Sequence, residues 1–192
     1  MTIQLAQTPE EFQRAFNVQS HSEIVAIRLV SAVLRSEDPA EYLKDGAGIQ
    51  FRIGHKVGSY AIETERILAV TVDFGLWALP STEQEPPAKS NPVFGITATF
   101  EATYELLEKY EPALEDLKAF SDGNVVFNVW PFFREYAHNT CLRFGYTGSP
   151  AVPLLRLVSK PPPEQQQTPR PRRRRPPADK EQTPIATSPT RG

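Results

Sequence analysis

Cysteine is almost absent from this chain. Its 192 residues hold one, Cys141, which excludes an internal disulfide and fits a reducing compartment. Nothing approaches the run of about 18 apolar residues that a membrane-spanning helix needs. The opening MTIQLAQTPEEF has no basic segment followed by an apolar one, so it does not read as a secretory signal. The expectation is a soluble cytoplasmic protein without membrane insertion. The glycines follow neither GxxxxGK nor GxGxxG spacing, and no GxSxG occurs, so neither a phosphate-cradling loop nor a nucleophile elbow is present. His21, His55 and His138 are scattered. His138 and Cys141 stand three apart on one helical face, but no second Cys–His pair or CxxC joins them, and a structural zinc site takes four ligands. No catalytic residue, metal or cofactor is expected, and the chain does not read as an enzyme.

What is present divides unevenly. From Lys160 to Gly192 eight basic side chains stand against three acidic ones, a net of +5. The preceding 159 residues carry 13 basic and 20 acidic groups, a net of −7. An acidic body of this kind does not by itself seek nucleic acid. The tail holds 9 of the 19 prolines and the run Arg172–Arg175, with Ile185 as its one large apolar residue. Such a segment buries too little surface to offset ordering and reads as disordered, with polyproline II character. The organisation predicted is an amino-terminal extension (1–22), one globular domain (23–159) and the tail (160–192).

Thr8-Pro9-Glu10-Glu11 is a helix start with a capping hydroxyl, proline at the first position and a glutamate three residues on. It predicts a short helix to about Phe16. Glu23 to Ser36 has mixed periodicity, and its β-branched content favours a strand. Asp38 to Gly48 reads as a loop. Three runs then alternate apolar and polar residues: Ile49 to Val57, Leu68 to Leu76, and Phe94 to Leu106. Period two predicts an antiparallel sheet with one dry and one wet face, and Pro80 to Pro92 reads as a connection of hairpin type. A long helix is predicted from Asn124 to Phe144, with Ser121, Asp122 and Asn124 as capping residues and Gly145 as its stop. The fold class expected is α+β: a four-stranded antiparallel sheet covered by a long carboxy-terminal helix, with a disordered tail.

The helix raises the functional question. Val125, Val126, Phe127, Val129, Trp130, Phe132 and Phe133 cover almost its whole circumference, and a helix apolar all round is buried on all sides. One face can cover the sheet; the other is expected to meet another subunit or a ligand. Val126, Phe127, Trp130, Phe133 and Tyr136 are the candidate oligomer-interface residues. The aromatic and apolar residues of the sheet, Phe74, Leu76, Trp77, Phe94, Phe100 and Tyr104, read either as plain core or as the lining of a groove for extended apolar polypeptide. Asp73, Glu101 and Glu105 fall on the wet face, either as ordinary solvated charge or as a docking surface for a basic partner.

The run Trp130-Pro131-Phe132-Phe133-Arg134-Glu135, followed by the proline-bearing stretch Pro150 to Leu155, resembles the SecB family of export chaperones. There the first long helix carries an aromatic-Pro-aromatic-x-Arg-Glu core, and a proline-rich apolar stretch follows. The order of four antiparallel strands, a connecting segment (about Tyr110 to Gly123) and a helix is similar too, over about Ile24 to Leu157. The resemblance implies an ATP-independent holdase, a homotetramer built as a dimer of dimers, that binds unfolded polypeptide in apolar grooves. Its implied partners are the SecA motor of protein export, docking on the acidic sheet surface, or an unstable antitoxin of a toxin–antitoxin system. The family's second helix, expected after Leu157, has no counterpart, and the Pro/Arg tail stands in its place. The alternative is an oligomeric scaffold acting through the Arg-rich tail on nucleic acid or an acidic partner.

Overall fold

A computed structural model describes residues 2–36, 49–64, 66–80, 92–144 and 152–160, which fall in one compact unit. The loops expected at 38–48 and 81–91, the helix stop at Gly145 and the tail from 161 on lie outside the described residues. In chain order the elements are β1 (Thr2–Gln7), α1 (Pro9–Gln19), β2 (Ser22–Ser36), β3 (Ile49–Thr64), β4 (Ile67–Pro80), β5 (Phe94–Leu106), α2 (Leu114–Phe120), a π-turn (Ser121–Val125), α3 (Val126–Arg143) and β6 (Leu154–Ser159). The fold is α+β, with β2-β5-β4-β3 forming one antiparallel sheet covered by the long helix.

The alternation of β4 and β5 decides the layering. Leu68, Val70, Val72, Phe74 and Leu76, with Phe94, Ile96, Phe100 and Tyr104, are all buried on the face toward α3. From α3, Val126, Val129, Trp130, Phe133, Ala137 and Cys141 complete that core. Phe74 lies at its centre, stacked on Phe133 at 4.8 Å and edge-on to Trp130 at 5.8 Å. Rings in such geometries add to what their buried area alone contributes.

The α1 start is as the sequence predicts. Thr8 Oγ1 accepts from the Glu11 amide, and the Glu11 carboxylate accepts from the Thr8 amide, a complete capping box. The helix continues to Gln19 rather than ending near Phe16.

The long helix begins ten residues earlier than its sequence suggests, at Leu114 rather than Asn124. Ser121 and Asp122 are not caps but lie inside it, in the π-turn, where Asp122 pairs with Lys118 one turn back. Gly123 does not break the helix. A Cβ there would collide with the Gln7 side chain, so the glycine admits β1 against the helix. Gln7 Nε2 donates to the Ala119 carbonyl at 2.8 Å, across 112 residues of sequence. A π-turn disrupts the regular i→i−4 ladder and so leaves a carbonyl available to such a donor. Two buried side-chain atoms, Gln7 Oε1 and Ser121 Oγ, lack a partner at this junction.

Residues 154–159 form strand β6, and the stretch beyond residue 160, where the family resemblance leads one to look for a second helix, lies outside the described residues. β6 pairs in parallel with β1, Thr2 opposite Leu154 through Gln7 opposite Ser159. The amino-terminal segment is thereby built into the same unit as the sheet. β6 is held by the aromatic-Pro-aromatic motif itself. Trp130 Nε1 donates to the Pro153 carbonyl and Arg134 Nε to the Val152 carbonyl, each at 2.9 Å. The two sequence fragments that carry the SecB resemblance are thus in direct contact.

Candidate functional site

One helix cannot cover four strands. An α-helix is about 10 Å wide with its side chains and strands lie about 4.8 Å apart, so α3 shields roughly two strands. It packs over β4 and β5, leaving the helix-side positions of both outer strands to find other cover.

On the β2 side the cover among the described residues is partial: Ile27 and Ala32, opposite Ala102 and Ala98, pack against the core. Ile24, Leu29 and Leu34 lie opposite the inward-facing Tyr104, Phe100 and Ile96, yet all three are exposed. Register shifts at Val25 and Val30 insert two bulges, and those valines are 59% and 53% exposed. Bulges re-aim side chains and increase local twist. Beside them α3 presents Phe127 and Phe132 (43% and 45% exposed) and Pro131. Between the two elements runs an open groove of about 450 Å³ whose lining includes Ile24, Val25, Ile27, Phe127, Pro131 and Phe132. This seam is an exposed apolar patch on an unpaired sheet edge, and both features mark association surfaces.

The residues expected to line a client groove lie elsewhere. Phe74, Leu76, Phe94, Phe100 and Tyr104 are at most 4% exposed, covered by the chain's own helix. Tyr104 is sealed further: Asn128 Nδ2 donates to its hydroxyl at 3.1 Å, and burial pushes its pKa up to about 12. Trp77 is on the opposite face, with the odd-numbered residues of β4. Its indole lies over Gly75, its neighbours being Gly54 of β3 and Gly95 of β5. A Cβ on Gly75 would fall inside the ring, and one on Gly54 or Gly95 would reach it at 3.4 Å. The glycines, weak strand formers, make the shallow floor on which the ring rests.

The expected interface set divides. Val126, Trp130 and Phe133 are spent on the core, Tyr136 is half-buried with its ring edge-on to Phe100, and Phe127 faces outward into the seam. The three acids are on the wet face as predicted, but none stands free. Glu101 accepts from Arg28 Nε and Nη2 at 2.8 and 2.7 Å, Glu105 pairs with Arg66 at 2.7 Å, and Asp73 accepts from Thr99 Oγ1 at 2.7 Å. Two of the three charges, Glu101 and Glu105, are thus matched by arginines, and Asp73 is held by a neutral hydroxyl.

A second concavity, of about 720 Å³, opens at the far side of the sheet, between β1 and β3 with α1 and α2 as its other walls. No cluster of three or more His, Cys, Asp or Glu able to hold a metal occurs among the described residues. No helix among them is long and apolar enough to cross a membrane. The sequence pointed to a groove where the sheet's dry face meets the helix, with Phe127 on its outer side, but not to β2 as the other wall. The second concavity depends on the pairing of β1 with β6, about 150 residues apart in the chain.

No protein-family model and no curated protein sequence matches this chain. Among solved structures it is similar to the SecB-like chaperone Rv1957 of Mycobacterium tuberculosis, determined in complex with a ChAD peptide from the Rv1956 HigA1 antitoxin. The TM-score is 0.57 at 16% identity, over 78% of this chain and 99% of that one. The chain therefore has a SecB-like fold. A Streptococcus agalactiae protein of unknown function matches with a TM-score of 0.30 and 6% identity, covering 62% of this chain and 86% of that one, too low to carry an argument.

Proposed function

We propose that this chain is an ATP-independent holdase that works as a homo-oligomer and keeps non-native polypeptide soluble. The observation that carries the reading is the uncovered seam of β2 and α3 on a SecB-like fold. A monomer rarely leaves so continuous an apolar strip in water, and a second copy is its natural cover, because an unpaired edge offers backbone donors and acceptors as well as apolar side chains. The oligomer is a tetramer, a dimer of dimers, and several weak client contacts add through avidity across its copies. Client binding then falls to surface that stays open after assembly, not to the buried Phe74, Phe94, Phe100 and Tyr104. The favoured client is an unstable antitoxin, the class bound in the complex of similar fold, rather than a preprotein handed to SecA, because Asp73, Glu101 and Glu105 are already engaged within the chain.

The test is absolute mass by light scattering on a sizing column, alone and mixed with a reduced, alkylated globular protein. A mass near four subunits, with co-elution of the unfolded but not the folded form and no need of nucleotide, is the expected result. Val30→Asp with Phe127→Asp lowers the mass. A wild-type monomer that ignores the unfolded protein refutes the proposal.

A further inference from the structure

The concavity on the β3 side has an unusual lining. From β1 it takes Leu5, Ala6 and Gln7, and from β3 it takes His55, Lys56 and Val57. Each set is three consecutive residues. Successive side chains on a strand point to opposite faces of the sheet, so a surface that touches three in a row meets the strand along its edge, where the backbone is. Both strands are outermost among the described residues: β3 pairs only with β4, and β1 only with β6. Two strand edges therefore flank one cleft.

The charges lining the cleft nearly cancel: Arg14, Lys118 and Lys56 stand against Glu10, Glu11, Glu115 and Asp122, a net of −1. Arg14 bridges Glu10 of its own helix and Glu115 of α2, Lys118 pairs with Asp122, and Glu11 is held by its cap with Thr8. Each carboxylate lining the cleft accepts from a partner within the chain, Glu11 from Thr8 alone, and the mixed signs give no strong field that would select a charged ligand. Leu5, Val57 and Ala119 contribute apolar lining. A cleft of little net charge bounded by strand edges suits a ligand recognised by its main chain.

We propose that this cleft takes an extended segment of non-native polypeptide, which pairs through its backbone with the β3 edge. Strand addition of this kind draws affinity from main-chain hydrogen bonds and tolerates many side chains, so it can hold an unstable client wherever its chain is extended. The proposal rests on the polypeptide-binding reading and assigns that activity a place.

The probe is a fluorescein-labelled ten-residue peptide of alternating valine and serine, and its twin with every second amide N-methylated. Binding to the full chain is followed by anisotropy, and hydrogen exchange locates the contact. The expected result is binding of the parent peptide and affinity about tenfold or more weaker for the twin, as the loss of one or two net hydrogen bonds predicts. The parent peptide slows amide exchange at residues 55–57, and Lys56→Gln changes its affinity less than about twofold because charge is not what is read. Equal affinity for the two peptides overturns the backbone pairing while leaving the holdase intact. Protection at residues 24–30 with none at 55–57 overturns the location. If the reduced, alkylated protein also fails to bind, the holdase reading falls with it.

Discussion

Trp130→Phe separates the structural role of the aromatic motif from an interface role. The substitution keeps an aromatic ring against Phe74 and Phe133 but removes the indole N–H that serves the Pro153 carbonyl at 2.9 Å. Trp130 is 3% exposed and Val152, beside that carbonyl, equally buried, so water does not readily replace the lost donor. Leaving a buried carbonyl unpaired costs about 1–3 kcal/mol, and the smaller ring leaves a gap worth roughly a further 1 kcal/mol. The sum, about 2–4 kcal/mol, is a large share of the stability of an ordinary domain. It also falls unevenly. The motif holds β6, and β6 is the only described partner of β1, so the two strands loosen together. Guanidinium melts give the total, and native-state hydrogen exchange gives its distribution: amides in 3–7 and 154–159 lose more protection than those in β4 and β5. Arg134→Met, which keeps the aliphatic stem and removes the bond to Val152, costs about 0.5–1.5 kcal/mol in the same place. A Trp130→Phe protein within about 0.5 kcal/mol of wild type, or one whose only change is a lower oligomer mass, refutes the reasoning.

Two smaller predictions rest on buried titratable groups. Burial pushes the Cys141 thiol up to about 11, so iodoacetamide at pH 8 leaves it unmodified in the native protein and labels it in guanidinium; rapid native labelling would contradict its place on the buried face of α3. Burial holds the His55 pKa below its ordinary 6.5, so the unfolded chain takes up the proton first. Stability is then unaffected above about pH 7 and declines as pH falls through 6.5. His55→Leu flattens the difference in melting temperature between pH 7 and 5, and an unchanged slope would show that His55 is not its source.

Most of the sheet was legible because its central strands keep strict alternation. β2 was read as a strand from its β-branched content rather than from its period, and its bulges explain the mixed period: each register shift, at Val25 and at Val30, moves the apolar period by one. The helix start was misplaced because Ser121-Asp122-Gly123-Asn124 has the composition of a cap, whereas the glycine answers a side chain more than a hundred residues away. β1 and β6 were missed for a similar reason. Each is six residues long, and what makes them strands is each other. Trp77 was grouped with Phe74 although its odd position shares a face with Asp73; parity along the strand was enough to separate them.

The site follows from the same mismatch of widths that shapes the fold. A single helix over four strands leaves two flanks, and the chain treats them differently. On the β3 flank other elements return: α1 and α2, linked by Arg14 and Glu115, and the strand pair β1–β6 close in without pairing to β3, so the flank becomes a walled cleft of little net charge. On the β2 flank nothing among the described residues returns, and bulged valines and the outer aromatics of α3 are left in the open. A cleft of little net charge with exposed strand edges suits a ligand read through its backbone. A wide, twisted, strongly apolar strip suits one fixed partner, because leaving it bare in a free monomer invites aggregation. The asymmetry of the flanks is therefore the reason to assign assembly to β2 and polypeptide capture to β3. Aspartates placed at Val30 and Phe127 should disturb the first before the second.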